Sequence, residues 1–419
     1  MALCLQDYTW SDSKSFTRFL KQRLKKEKKR SMLIVLEKIA CYLPENLIVE
    51  ILSRLSVKDL LQFKSVCKSW YDIISSPIFV SKHLNNYYNN NDDWRGCLLA
   101  QFFDTPNELQ LYQLLVDETP RVLGYEILYN VPLYPCYVCG PCDGLYYVYS
   151  YGYDPPRRAL WNPAIHELKT LPEIIGKPDL PAGFTYSLYE VYGLGFDPVS
   201  GDYKVVIMKG YWNDNDDGDD DDLKHPLSVL VYSLRTNSWR YCGDLAKAYE
   251  LERNRCYIYV KGCCYWFGSF EDSSEVIVSF NMANDSFKEI DVPEYAQPSS
   301  NCLAVYDDSL VFLSLRETDK IFDIWTWSEE GCWTKKFTMG PFAHVSRPIG
   351  HWKGNRLVLQ VGGKLLLYDP DTHKTEDLGF KISMHCQGVY AYMESLVSIK
   401  DKDEAGQQPK ESSITKQSS

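Results

Sequence analysis

Residues 230–239 read Leu230-Val-Tyr-Ser-Leu-Arg-Thr-Asn-Ser-Trp239. An apolar, β-branched stretch gives way to a short polar turn, and an aromatic residue opens the next strand. Five other places carry the same element: Leu109-Gln-Leu-Tyr-Gln113, Ala159-Leu-Trp-Asn-Pro-Ala-Ile-His-Glu-Leu168, Val278-Ser-Phe-Asn-Met-Ala-Asn-Asp-Ser-Phe287, Phe322-Asp-Ile-Trp-Thr-Trp-Ser-Glu-Glu-Gly-Cys-Trp333 and Leu366-Leu-Tyr-Asp-Pro-Asp-Thr-His-Lys-Thr375. With Tyr112, Trp161, Tyr232, Phe280, Trp325 and Tyr368 as anchors, the steps are 49, 71, 48, 45 and 43 residues. Strands are also expected before the anchors, over 96–103, 144–149, 191–206, 260–267, 303–313 and 356–361.

A repeat in the mid-forties with three or four strands per unit has the length of a propeller blade. One such sheet exposes both faces, and radial stacking buries them. The expectation is therefore a large all-β domain over 93–400, a six-bladed β-propeller. The long step needs an insertion, and two segments supply it: 176–190, rich in Pro and Gly, and the acidic 213–222. A last strand over 388–399 is expected to pair into the first blade and close the ring. Residues 401–419 are polar and are expected to be a disordered tail.

The period differs upstream. Over 43–84 apolar residues recur at helical spacing: Leu47, Ile48, Ile51, Leu52 and Leu55, then Leu60, Leu61, Phe63 and Val66, then Trp70, Ile73 and Ile74. Pro44 suits a first helical turn. Ser56 and Asp59 bracket a break, and Ser75-Ser76-Pro77 reads as the next stop. Two or three short helices follow. So small a bundle has little core of its own, so its apolar surface is expected to serve a partner. The fold class is thus a small all-α unit followed by a large all-β one.

Charge is uneven. Residues 1–42 form a basic extension, with the cluster KQRLKKEKKR over 21–30 and an alternative start at Met32. The formal charge is −11 overall. An acidic body argues against nucleic acid as the main ligand and favours long-range attraction of a basic protein. No apolar stretch reaches the roughly 18 residues of a membrane span, and no signal peptide is evident. The expectation is a cytoplasmic or nuclear protein whose 14 cysteines are reduced.

Catalytic and metal chemistry find little support. Cys136, Cys139 and Cys142 lack a second ligand pair to close a tetrahedron. If Gly218 filled the turn position of a calcium loop, the closing ligand would fall on Lys224, which cannot coordinate. No phosphate loop, nucleophile elbow or zinc-protease motif is present. No cofactor is expected, and the chain reads as a non-enzyme.

The segment Leu43-Pro44-Glu45-Asn46-Leu47-Ile48-Val49-Glu50-Ile51-Leu52-Ser53-Arg54-Leu55, continued by residues 57–70, resembles an F-box. The resemblance implies docking on a Skp-family adaptor, which bridges to cullin and RING subunits. It implies Leu43, Pro44, Leu47, Ile51, Leu52 and Leu55 as contacts, with Leu60, Leu61, Val66, Cys67 and Trp70 divided between contact and core. About a third of all these are expected to be core, since helix-in-groove recognition rests on few anchors.

The signatures Gly140-Pro-Cys-Asp-Gly-Leu145, Leu160-Trp-Asn-Pro-Ala164, Gly193-Leu-Gly-Phe-Asp-Pro198, Asp202-Tyr-Lys-Val-Val206, Cys264-Tyr-Trp-Phe267 and Glu394-Ser-Leu-Val-Ser-Ile399 resemble the plant F-box-associated domain, most of all the S-locus F-box group. That resemblance implies the substrate-recognition subunit of an SCF-type ubiquitin ligase. Its substrates would be proteins, with basic secreted pistil ribonucleases as one class. An adaptor-bound module or scaffold without degradation is the alternative. Asp143-Gly144, Asn162-Pro163 and Asp197-Pro198 read as turn chemistry. The loops at 174–190 and 211–226 are the expected docking surface, with Asp216, Asp217, Asp219, Asp220, Asp221 and Asp222 steering a basic substrate.

Overall fold

A computed structural model describes residues 44–89, 97–105, 108–116, 122–127, 136–150, 156–174, 186–212, 227–247, 249–251, 257–270, 272–294, 301–316, 318–328, 331–342, 345–352, 356–381 and 386–400. Leu43, the basic extension, the acidic segment around Asp216–Asp222 and the tail lie outside the described residues.

Four helices open the described chain. Helix α1 (Glu45–Leu52) follows Pro44, carries Glu45 in its first turn and buries Ile48, Ile51 and Leu52. Helix α2 (Val57–Phe63) is capped by Ser56, whose hydroxyl accepts the Asp59 amide. Helix α3 (Lys68–Ser75) buries Trp70 and Ile74 one turn apart. Helix α4 runs Pro77–Asn89. Ser75-Ser76-Pro77 is therefore a stop and a start together. Ser76 accepts the Phe79 amide at 3.2 Å, and Pro77 fills the first helical position, where no N–H is needed.

The rest of the described chain is β. Strands β1 (Cys97–Thr105), β2 (Glu108–Val116) and β3 (Val122–Ile127) form most of one sheet. Consecutive strands make the next two: β4 (Cys136–Cys142), β5 (Leu145–Ser150), β6 (Arg157–Asn162) and β7 (Glu167–Thr170); then β8 (Tyr186–Asp197), β9 (Asp202–Trp212), β10 (Ser228–Ser233) and β11 (Ser238–Asp244). The fourth holds β12 (Glu250–Leu251), β13 (Ile258–Val260), β14 (Cys263–Ser269), β15 (Glu275–Asn281) and β16 (Ser286–Asp291). The fifth holds β17 (Asn301–Tyr306), β18 (Ser309–Arg316), β19 (Ile321–Trp327) and β20 (Trp333–Met339). The sixth holds β21 (Val345–Trp352), β22 (Arg356–Val361), β23 (Lys364–Asp369) and β24 (Lys374–Lys381). Five sheets are thus contiguous in sequence. The first is completed from the far end of the chain by β25 (Cys386–Tyr392), which pairs antiparallel with β1. This is a large all-β propeller domain behind a helical bundle.

The repeat anchors fall at one structural position. Tyr112, Trp161, Tyr232, Phe280, Trp325 and Tyr368 all lie on the third strand in the hydrogen-bonded order of their sheets. Middle strands are buried on both faces, as in β10 and β15, whereas outer strands such as β7 and β16 alternate with exposed residues. Face-to-face stacking of sheets produces this pattern. The core is accordingly a series of clusters between sheets. One joins Leu99, Tyr146, Trp161 and Tyr392, and another joins Phe267, Ile277 and Phe312.

Three expected strands are hairpins instead. The ranges 191–206, 260–267 and 303–313 are broken at residues 198–201, 261–262 and 307–308. Asp307 and Asp308 both have positive φ (53° and 49°), the geometry of a two-residue hairpin turn. The break at 198–201 follows the turn read at Asp197-Pro198, whereas at 261–262 and 307–308 the flanking strands read as one apolar run, which hid the turns. The last strand is also shorter than expected: β25 ends at Tyr392, and 393–399 leaves the sheet.

Candidate functional site

The helical bundle sorts its apolar residues by burial. Ile51, Leu52, Leu55, Leu60, Val66 and Trp70 are in the core. Leu61 and Cys67 are half-buried, Pro44 is exposed and Leu47 is 43% exposed. More of the expected contacts therefore serve as core than the third anticipated. A bundle of four short helices has so little interior that nearly every inward position is consumed. Tyr71 and Ile78 are exposed, at 45% and 84%, and the spacing argument singled out neither.

Aromatic and polar contacts lock the bundle. Phe63 and Trp70 pack edge-to-face at 5.5 Å. The Glu50 carboxylate takes Lys82 at 2.6 Å and also Arg54, and these two bonds hold its pKa below the usual range. His83, buried on α4, donates from Nε2 to the Leu55 carbonyl at 2.9 Å. Burial lowers its pKa, and the backbone bond only partly offsets this.

The bundle rests on one corner of the β-domain. Residues 393–399, after β25, lie between the two. Leu396 enters the bundle core, where Ala164 and Ile165 from the β6–β7 turn also pack. Val397 and Ile399 enter the β-domain core, against which Val80 and Leu84 of α4 are packed. Asn162 is fully buried and donates from Nδ2 to the carbonyls of Ser395 (3.1 Å) and Val397 (2.8 Å). Its Oδ1 accepts the Ala164 amide at 3.0 Å, the turn role read from Asn162-Pro163. Gly144 has φ +78°, and a Cβ there would meet the Met393 carbonyl at 2.6 Å. Asp143-Gly144 is thus a hairpin turn that also leaves room for this segment.

The opposite end is marked by charge. Arg158 on β6 pairs with Glu190 on β8 at 3.0 Å, and Lys209 on β9 reaches the same carboxylate at 2.7 Å. Tyr203, at the start of β9, donates to Asp143 at 2.8 Å. The Asp143 turn and the β8–β9 turn therefore share the bundle's end of the domain, and Arg158, Glu190 and Lys209 lie at the other. The chain leaves Ile174 and re-enters at Tyr186, and leaves Trp212 and re-enters at Leu227, at that far end.

The cysteine motif is structural. Cys136 and Cys142 are buried. Burial pushes the Cys136 thiol up to about 12, and burial likewise raises that of Cys142. Both stay protonated and pack as small apolar groups. Among the described residues no group of three or more His, Cys, Asp or Glu side chains is placed to hold a metal, and no helix is long and apolar enough to cross a membrane.

Comparison with known families matches residues 99–350 to the F-box associated beta propeller domain and residues 41–82 to the F-box domain. The chain belongs to the F-box-associated β-propeller family and carries an F-box. F-box protein CPR1 of Arabidopsis thaliana is 27% identical over 368 residues, which cover 81% of this chain and 84% of that protein. An F-box/kelch-repeat protein of the same plant is 24% identical over 372 residues, 86% of this chain and 96% of that one. The F-box match covers α1 to α3 and the first half of α4, so the exposed Leu47 and Tyr71 stand on F-box helices.

Proposed function

We propose that this chain is the substrate-recognition subunit of an SCF-type ubiquitin ligase. Its F-box, placed over 43–84, docks on a Skp-family adaptor and through it on cullin and RING subunits. Its propeller, placed over 93–400 and read as six blades closed by the β25–β1 pairing, holds a protein substrate. The observation that carries this reading is the division of the F-box. One side is seated on the propeller through Leu396, Val80 and Leu84, while Leu47 and Tyr71 stay exposed. Exposed apolar anchors on short helices fit helix-in-groove recognition. Leu43, Pro44, Leu47, Leu61 and Cys67 are the proposed contacts, with Ile51, Leu52, Leu55, Leu60, Val66 and Trp70 holding them in place.

Ubiquitin transfer is an acyl transfer to a substrate lysine, performed by the partner subunits. This chain contributes proximity, raising the effective concentration of lysine near the charged carrier. The substrate face is assigned to the end where the chain leaves Trp212 and Ile174, away from the F-box corner. The acidic residues Asp216, Asp217, Asp219, Asp220, Asp221 and Asp222 belong to one of those excursions, which suits a basic substrate such as a secreted ribonuclease. Residence in the cytoplasm, where adaptor and cullin act, belongs to the same proposal.

The test is affinity capture of the intact chain beside a Leu43→Ala/Pro44→Ala variant in plant tissue, pollen included, with the proteasome inhibited. Adaptor and cullin are expected with the parent and lost from the variant, while the substrate stays bound. Equal adaptor capture by both would overturn the reading. A retained partner that is never ubiquitinated would favour a scaffold.

A further inference from the structure

We infer that Asn162 is a positioning residue: by clamping residues 393–399 it fixes the orientation of the F-box relative to the propeller. A turn needs only the Oδ1 acceptor of this side chain, and Ala164 satisfies it. Both Nδ2 donations go elsewhere, to two carbonyls of a segment more than 230 residues away in sequence. A fully buried amide that uses donor and acceptor alike tolerates no shift of its partners. The clamped segment therefore keeps one register.

That register matters because the segment faces two ways. Its consecutive residues Leu396 and Val397 belong to different cores, Leu396 to that of the F-box and Val397 to that of the propeller. A second grip follows one step on. The Glu167 carboxylate accepts the Ser398 hydroxyl and the Ile399 amide, both at 2.9 Å. Lys64, between α2 and α3, sits within electrostatic reach of the same carboxylate. Gly144 completes the seat, since any side chain there would collide with the Met393 backbone. The F-box is thus joined to the propeller by a strap that both domains bury. If the chain is a ligase receptor, a strap that holds one orientation also holds one distance from substrate lysine to ubiquitin carrier.

The clamp itself does not depend on the receptor reading, and the experiment separates the two. Full-length chain bound to adaptor carries a donor–acceptor dye pair through unnatural amino acids at the exposed positions Asp72, on α3, and Glu376, on β24. Single-molecule energy transfer then reads the distribution of inter-domain distance. The parent is expected to give one narrow peak. Asn162→Asp keeps the turn acceptor and loses both donors, so the single narrow peak should be lost while adaptor capture stays at the parental level. Leu396→Ala cuts the F-box side of the strap and leaves the Asn162 turn untouched; it too should broaden the peak. A narrow peak in Asn162→Asp overturns the inference. Should Asn162→Asp fail to fold, Asn162→Ser, which keeps a turn acceptor and loses both amide donors, takes its place. Failure of the receptor reading would show separately, as a parent chain that captures no adaptor.

Discussion

The guanidinium of Arg158, on one sheet, meets both carboxylate oxygens of Glu190, on the next, at 3.0 Å. Lys209 and the Tyr192 hydroxyl complete the shell of Glu190 at 2.7 and 2.9 Å. All three charges are about nine-tenths buried. Glu190→Gln removes the carboxylate that two buried cations share and should destabilise the propeller by about 3–5 kcal/mol. Replacing Arg158, Glu190 and Lys209 together with apolar residues should cost much less, because no charge of the cluster then stays buried. Chemical denaturation of both variants checks the contrast. Burial pushes the Glu190 carboxyl up, but Arg158 and Lys209 outweigh it and hold it below the usual carboxylate range. Its stabilisation is therefore present above about pH 4.3 and is lost as pH falls through the lower folded value.

His83 predicts a second pH effect, confined to the F-box. Its pKa is lowered in the fold, chiefly by burial. The unfolded chain then takes up a proton first, so F-box stability should be unaffected above about pH 6.5 and should decline as pH falls below it. Hydrogen exchange of α1 and α4 between neutral and mildly acidic pH reads this directly. A flat profile would count against the buried neutral tautomer.

Leu47 and Ile51 lie one turn apart on α1, yet their substitutions should fail differently. Leu47→Asp, at an exposed position, should abolish adaptor capture and leave the thermal transition near that of the parent. Ile51→Ala opens the core and should cost about 2–5 kcal/mol, seen as a lower melting temperature.

Gly193, on β8 of the third sheet, faces Trp266, on β14 of the fourth. A Cβ there would stand 2.5 Å from the Trp266 ring, whose Nε1 donates to the Tyr192 carbonyl at 2.9 Å. Gly193→Ala should overpack this contact and cost about 1–3 kcal/mol. Tryptophan fluorescence would register the displaced ring.

Periodicity along the chain gave away the architecture. Alternation and the mid-forties repeat set out the β-domain, and they brought Tyr112, Trp161, Tyr232, Phe280, Trp325 and Tyr368 to equivalent strands. Helical spacing set out α1 to α3, since a helix needs an apolar residue every three or four positions whatever it packs against. Turns between doubly buried strands stayed hidden, as at Asp307-Asp308, because no polar residue alternates there to mark the period.

Local sequence determined which residues are helix, strand and turn, because propensity, capping and period act over a few neighbours. Tertiary structure alone decided which apolar F-box residues stay exposed, because burial depends on what packs above each face. It also decided that the second-sheet turn residue Asn162 should reach Ser395 and Val397, that Arg158 should meet Glu190, and that residues 393–399 should leave the sheet for the F-box. Those partners lie far apart in sequence, and only the closing of the propeller brings them within hydrogen-bond distance.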